Sequence, residues 1–380
     1  MDSPASREAR SAHVTESKRR AIGVPRMRGT VTALAVASLS AVVLASCSTN
    51  SNGTSGNGGT TPAANTLSAA DLDALVAAAK AGTGTTPDIC HGKTYRIGID
   101  IYPTTIVYGK DVVTGAKAIG QSTGCVTPVV LEDNLKAETV IANVKAFIQQ
   151  KVDGIALLNA VEAPEEEAIR LAKAAGIPLV TASLGRPGTP FVDVNDGDAG
   201  LAEGTEIATE LKAKIGSKEP WILISSFPLQ PPASDRQTGW LKGVATVFPN
   251  IPQSHILQFN GQLNPAVTVQ LGKPLLAKIP TSAPILTLGT NDDAGYALAK
   301  LVSDAGRTML GSGFGGDSGG RAHLCTGIYN TSGWFPEKSM AYIYPALIAM
   351  KFGATFPDQV PNKTAVLTKA TVNTYYPGTC

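Results

Sequence analysis

From Tyr95 onward the chain alternates short apolar, β-rich runs with helical periods, and this alternation limits the fold more than any other feature. Tyr95–Ile101, Val126–Leu131, Gly154–Leu158 and Ile177–Ala182 read as strands. Helices are expected between them over Lys110–Gln121, Lys136–Gln150 and Ala163–Ala175. The second carries Val140, Ile141, Val144, Phe147 and Ile148 at the spacing of one helix face. Gly154–Leu158 is apolar throughout, as a strand covered on both faces should be. The pattern then repeats, with strands at Trp221–Ser225, Ser254–Phe259 and Ile285–Leu288. The helices of this second run are expected at Leu201–Ile215, Arg236–Phe248, Pro265–Lys278 and Ala294–Ala305. Strict βαβα order implies parallel sheets with helices on both faces, and two consecutive runs imply two such sheets. A chain of 380 residues, 43% of them hydrophobic, is long enough for two cores.

Composition removes several functions. The formal net charge of +2 offers no clustered basic excess of the kind a nucleic-acid surface needs, so no nucleic-acid partner is expected. Four scattered histidines (His13, His91, His255 and His323) make no zinc site, and neither a metal nor a cofactor is implied.

Residues 1–46 read as an export signal. The apolar run Val31–Ala45 is shorter than the ~20 residues that span a bilayer, and Arg26 and Arg28 precede it. Leu44-Ala45-Ser46-Cys47 resembles the bacterial lipobox, in which the cysteine thiol is acylated. The chain would then be anchored to the outer face of the cell membrane through Cys47; an ordinary secretory signal is the alternative. Met27 is a second candidate start, because the segment from it forms a complete lipoprotein signal. Ser48–Thr66, rich in Gly, Ser, Thr and Asn, reads as a tether with a reach of roughly 25 Å. Residues 47–93 are expected to be this tether followed by a short helix. The signal holds seven basic and three acidic residues, so the rest of the chain carries −2.

With Cys47 lipidated, Cys90, Cys125, Cys325 and Cys380 remain, an even number in an exported chain. Three connectivities are open, as is a set of free thiols. Cys90 and Cys125 each precede one of the first two strands, which should be neighbours in a sheet. Cys325 precedes an expected strand at Thr326–Asn330. The expected bridges are therefore Cys90–Cys125 and Cys325–Cys380.

Ligands of doubly wound sheets bind beyond the carboxyl ends of the strands. There the sequence places Tyr102 and Tyr108, then Asn159, then Ser183. The second run supplies Arg236, then Asn291 and Asp292, then Asp317 within the glycine-rich stretch 311–320, and finally Trp334. Hydrogen-bonding groups mixed with aromatic rings suit a sugar, whose hydroxyls need partners and whose apolar face stacks on a ring. Three tempting motifs fail. Gly316-Asp317-Ser318-Gly319-Gly320 matches a serine-protease nucleophile segment, but the chain has no suitably placed histidine and is not all-β. Gly311-x-Gly313-x-x-Gly316 lacks the acidic residue a dinucleotide site requires and reads better as a ligand loop. The acidic run Asp193–Asp198 lacks the terminal Glu of a calcium loop and reads as a turn and helix cap.

Residues 94–375 resemble the type I periplasmic binding proteins, the ribose-binding-like solute receptors of ABC sugar importers. The resemblance rests on FIQQKVDGIALLNAVEA (147–163), AAGIPLVTAS (174–183), VNDGDAG (194–200), DRQTGW (235–240) and TNDDAGYALAKL (290–301). It implies two doubly wound, Rossmann-like α/β lobes, a hinge of three crossings near Asn195, Trp334 and Lys363, and a ligand in the cleft. The first lobe would hold 94–196 and 335–365, the second 197–334 and 366–380. The resemblance gives ligand-contact roles to Arg236, Asn291 and Asp292. The chain departs from the family where its Asp-Arg pair becomes Ser183-Leu184 and where its Phe-Asp-Gly becomes Phe314-Gly315-Gly316, with Asp317 displaced. Trp334-Phe335-Pro336 replaces its Gln-x-Pro. Ribose is thus disfavoured against a ligand with more apolar face, such as a deoxy- or pyranose sugar, a polyol or a glycoside. The implied role is capture of a sugar or polyol by a monomer for ABC permease subunits, without catalysis; a sensory protein handing its ligand to a membrane receptor is the alternative.

Overall fold

The first described helix, α1 (Ala69–Ala81), is opened by a capping box. Ser68 Oγ accepts the Asp71 amide at 3.1 Å, while the Asp71 carboxylate accepts the Ser68 amide at 3.2 Å. The computed structural model describes residues 67–159, 162–228 and 231–380, so the export signal, Cys47 and the tether lie outside the described residues. Beyond α1 come α2 (Pro87–Cys90), β1 (Tyr95–Ile101), α3 (Val107–Thr123), β2 (Val126–Glu132) and α4 (Ala137–Gln149). Next are β3 (Gly154–Leu158), α5 (Glu165–Ala174), β4 (Leu179–Thr181) and β5 (Phe191–Asp193). The second run is α6 (Asp196–Ile215), β6 (Trp221–Ser226), α7 (Pro231–Val247), β7 (Ile256–Asn260), α8 (Pro265–Leu276) and β8 (Ile285–Gly289). It continues through α9 (Asp292–Asp304), β9 (Met309–Gly315), α10 (Ser318–Arg321) and β10 (Tyr329–Gly333). The chain closes with α11 (Ser339–Lys351), β11 (Gln359–Pro361), β12 (Ala365–Leu367) and α12 (Val372–Tyr375).

These strands form two six-stranded sheets, ordered β11-β5-β4-β3-β1-β2 and β12-β10-β9-β8-β6-β7. Every pairing is parallel except β12 against β10. Helices flank both, making two Rossmann-like lobes. The chain passes between the sheets three times: after β5, after β10, and between β11 and β12. The connections leaving β1 and β3 run to opposite sides of the first sheet, and those leaving β6 and β8 to opposite sides of the second; such a switch opens a crevice at the carboxyl ends of these parallel strands.

The cores explain the elements. β1 and β3 bury nearly every residue between helical layers. The helix α11 is buried from Ser339 to Ala349, and α1 packs on it through Leu75 and Ala79. The short helix thus packs into the first lobe, with Leu75, Ala79 and Cys90 in its buried core. In the second lobe α6 and α7 pack backbone to backbone. A Cβ on Gly239 would overlap the Gly197 carbonyl, and one on Gly204 the Trp240 carbonyl, so only glycine permits this approach. Both expected disulfides are present, Cys90–Cys125 and Cys325–Cys380, with Cα separations of 5.8 and 5.4 Å.

Two local expectations need correction. Leu324–Thr326 forms a 3₁₀ turn, and the strand expected at Thr326–Asn330 begins only at Tyr329. Gly311–Gly315 belongs to buried strand β9, so the ligand loop shrinks to the residues that follow it.

Candidate functional site

The carboxyl ends of the two sheets face each other across a cavity of about 80 Å³. The first lobe contributes Tyr102, which follows β1, Tyr108 from the first turn of α3, and Ser183 after β4. The second contributes Arg236 on α7, Asn291 and Asp317 at the N-caps of α9 and α10, and Trp334 after β10. Seven of the nine candidate residues thus share one cavity. Phe314, Ile106, Leu135, Pro232 and Leu263 complete its lining and are absent from the sequence-derived set. A wider groove of about 470 Å³ beside the first crossing shares Ser183 and Pro232 with the cavity.

Arg236 is fixed before any ligand arrives. Its Nε donates to Asp196 Oδ1 at 2.6 Å and its Nη1 to the Thr290 carbonyl at 2.9 Å. Its guanidinium lies 4.1 Å over the Trp334 ring. The two charged side chains are only 14% and 12% exposed. Trp334 also meets Tyr108 edge-on at 5.9 Å and donates its Nε1–H to Ser332 Oγ at 3.2 Å. One indole face is therefore taken by Arg236, leaving Tyr102 and Tyr108, with centroids 6.1 Å apart, as the freer aromatic surface.

The carboxylates divide by position. Asp317 caps α10 by accepting the Gly320 amide at 2.8 Å, and its own amide donates to Asp292 Oδ2 at 3.0 Å. Burial first, and the nearby Asp292 charge second, push its carboxyl up to about 8. Gly315 and Gly316, at φ 129° and 60°, let the chain fold back so that Asp317 reaches the cavity. Asp292 faces inward instead: Tyr329 Oη donates to it at 2.7 Å, and Thr331 Oγ1 donates to the same oxygen. It does not line the cavity, and neither does Asn159, which is fully buried. Asn291 accepts the Ala294 amide at 3.1 Å and donates to the Leu263 carbonyl at 3.3 Å.

Sequence reasoning missed two acids here. Asp193 accepts the Ser183 amide at 2.9 Å and the Val194 amide at 2.8 Å, and burial raises its carboxyl to about 7. It holds Ser183 at φ 93°, a costly conformation for a residue with a Cβ. Asp196 is the counter-ion of Arg236; burial pushes its carboxyl up while the guanidinium opposes the shift. Both acids sit in the run read as a turn and cap, and Asn195 does cap α6 there by accepting the Asp198 amide at 3.0 Å. The lobes also touch directly, where Asp111 on α3 accepts the Ser318 amide at 2.6 Å and the Ser318 hydroxyl at 3.0 Å.

The family model of a periplasmic binding protein domain matches residues 97–353. No curated protein matches the chain. Among solved structures, a periplasmic solute-binding protein of an ABC transporter from Actinobacillus succinogenes with bound D-allose is 19% identical. The match covers 74% of this chain and 100% of that one, with a TM-score of 0.65. An ABC transporter solute-binding protein from Mycobacterium smegmatis with bound glycerol is also 19% identical, covering 74% and 96%, with a TM-score of 0.63. One from Bacillus halodurans with bound myo-inositol is 12% identical, covering 76% and 99%, with a TM-score of 0.61.

Proposed function

We propose a function from one premise: the chain belongs to the periplasmic binding protein family, whose members bind solutes and do not transform them. It captures a sugar or polyol between its two lobes for delivery to an ABC importer. One observation carries this reading. Fixed polar groups (Arg236, Asn291 and Asp317) and a pair of tyrosines, Tyr102 and Tyr108, converge on one cavity at the carboxyl ends of both sheets. The bound molecules of the similar structures, D-allose, glycerol and myo-inositol, point to the same ligand class.

In this reading Asp317 and Asn291 pair with ligand hydroxyls, Arg236 donates to ring or hydroxyl oxygens, and Tyr102 and Tyr108 cover the apolar face. Ser183 borders the ligand from the first lobe. Trp334 acts mainly by stacking on Arg236, while Asp292 and Asn159 support the layer from beneath. The chain works as a monomer, lipidated at Cys47 outside the cell membrane, and closes about its three crossings to present the ligand to permease subunits.

A thermal-unfolding screen against sugars, polyols and nucleosides tests the ligand class. A ligand at 100 times its Kd adds about 2.7 kcal/mol and raises the midpoint. A nucleoside that does so while every sugar and polyol fails would overturn the reading.

A further inference from the structure

Two turns break the same backbone rule at matching places in the two lobes. After β2, Lys136 N–H donates to the Asp133 carbonyl at 3.0 Å, closing a turn whose central residues Asn134 and Leu135 have φ 53° and 58°. After β7, Asn264 N–H donates to the Gly261 carbonyl at 2.9 Å, closing a turn whose central residues Gln262 and Leu263 have φ 55° and 54°. Two central residues at positive φ are the mark of a type I′ turn, a position that Asn and Gly fill because a branched side chain is crowded there. Here leucine occupies the second central position in both. Strands β2 and β7 are the corresponding edge strands of the two sheets.

Both turns are locked. Asp133 Oδ1 accepts the Leu135 amide at 2.7 Å, Asn260 Oδ1 accepts the Gln262 amide at 3.0 Å, and Asn291 Nδ2 holds the Leu263 carbonyl. Core packing does not repay the strain, because Leu135 is 40% exposed and Leu263 only half-buried. Yet both leucines line the cavity, one from each lobe. Strain kept at matching positions around a ligand site, without burial in return, indicates use by the ligand.

We infer that Leu135 and Leu263 are paired apolar jaws that select a sugar or polyol bearing an apolar substituent, a deoxy methyl group or a glycosidic aglycone, over its fully hydroxylated counterpart. This rests on the sugar reading above. A methyl group between the jaws leaves water for an apolar surface. A hydroxyl there loses its water partners and gains none, because leucine offers no donor or acceptor.

Calorimetric titration of the exported chain tests this with hexoses, pentoses and polyols beside their deoxy counterparts and their methyl and phenyl derivatives. The wild type should bind the preferred substituted member at least tenfold more tightly than its parent. Leu135→Asn and Leu263→Asn suit the positive φ, so each should keep or raise the unfolding midpoint of the unliganded protein while cutting that preference below threefold. A wild type that binds parent sugars as tightly as substituted ones overturns the jaws and leaves the sugar reading intact. Variants that keep the full preference also overturn the jaws. A wild type that binds no member of the panel contradicts both.

Discussion

Replacing Arg236 by methionine keeps a long side chain and removes the guanidinium. In the structure that group is the counter-ion of Asp196, 2.6 Å away, and both side chains are almost out of solvent. Removing one member of a buried pair strands the other, at about 3–5 kcal/mol. At ~2–4 °C per kcal/mol for a domain-sized unit, the melting midpoint should fall by roughly 6–20 °C. Asp196→Asn combined with Arg236→Met no longer leaves a stranded charge and should recover at least half of the loss. Urea unfolding followed by circular dichroism gives the energies, and near-ultraviolet signals report the combined environments of Trp221, Trp240 and Trp334. If the single variant loses less than ~1 kcal/mol, as exposed pairs do, or the double variant is no better than the single, the pre-set Arg236 is refuted.

Burial raises Asp100 and Asp317 to about 8 and Asp193 and Glu165 to about 7. Unfolded, these groups release their protons near roughly 4, so the native chain holds more protons between pH 4 and 8. Their contribution is therefore full below pH 4 and is lost as pH rises through 7–8; urea midpoints of the unliganded protein should fall across that window, and a steady rise would contradict it. Reducing the Cys90–Cys125 and Cys325–Cys380 bridges, which span 35 and 55 residues, should cost ~3–4 kcal/mol each, read as a lower urea midpoint in dithiothreitol. Cys47→Ala should leave an unlipidated chain in the medium or an unprocessed precursor; retention in the membrane like wild type would remove the lipobox reading.

The sequence made the strands legible where burial on both faces left an unbroken apolar run, as in Gly154–Leu158, and the helices legible where one face was apolar, as in α4. It concealed α11, which is buried all round and has no polar face to set a period. It concealed the end of β9 because Gly313 and Gly315 are glycines for a packing reason. A Cβ on Gly313 would overlap the Tyr329 hydroxyl, and one on Gly315 would crowd Tyr108. The short strands β5, β11 and β12 have three residues each and no period to read. In the site, strand-end position brought out Tyr102, Tyr108, Ser183, Arg236, Asn291, Asp317 and Trp334. Position alone could not tell that the Asp292 carboxylate turns inward to Tyr329 and Thr331, since that depends on which partners the fold brings near. Nor could it show that Arg236 covers an indole face, because α7 and the end of β10 meet only in three dimensions.

If one cavity between the lobes holds a sugar or polyol, a single calorimetric comparison will show it. The tightest sugar or polyol from the screen is titrated into wild type and into Asp317→Ala, whose unliganded fold is first checked by circular dichroism. Wild type should bind with micromolar or tighter Kd and the variant at least tenfold more weakly, a loss of about 1.4 kcal/mol or more. Equal affinity in both proteins would contradict it, because the ligand would then bind away from the carboxylate that reaches this cavity.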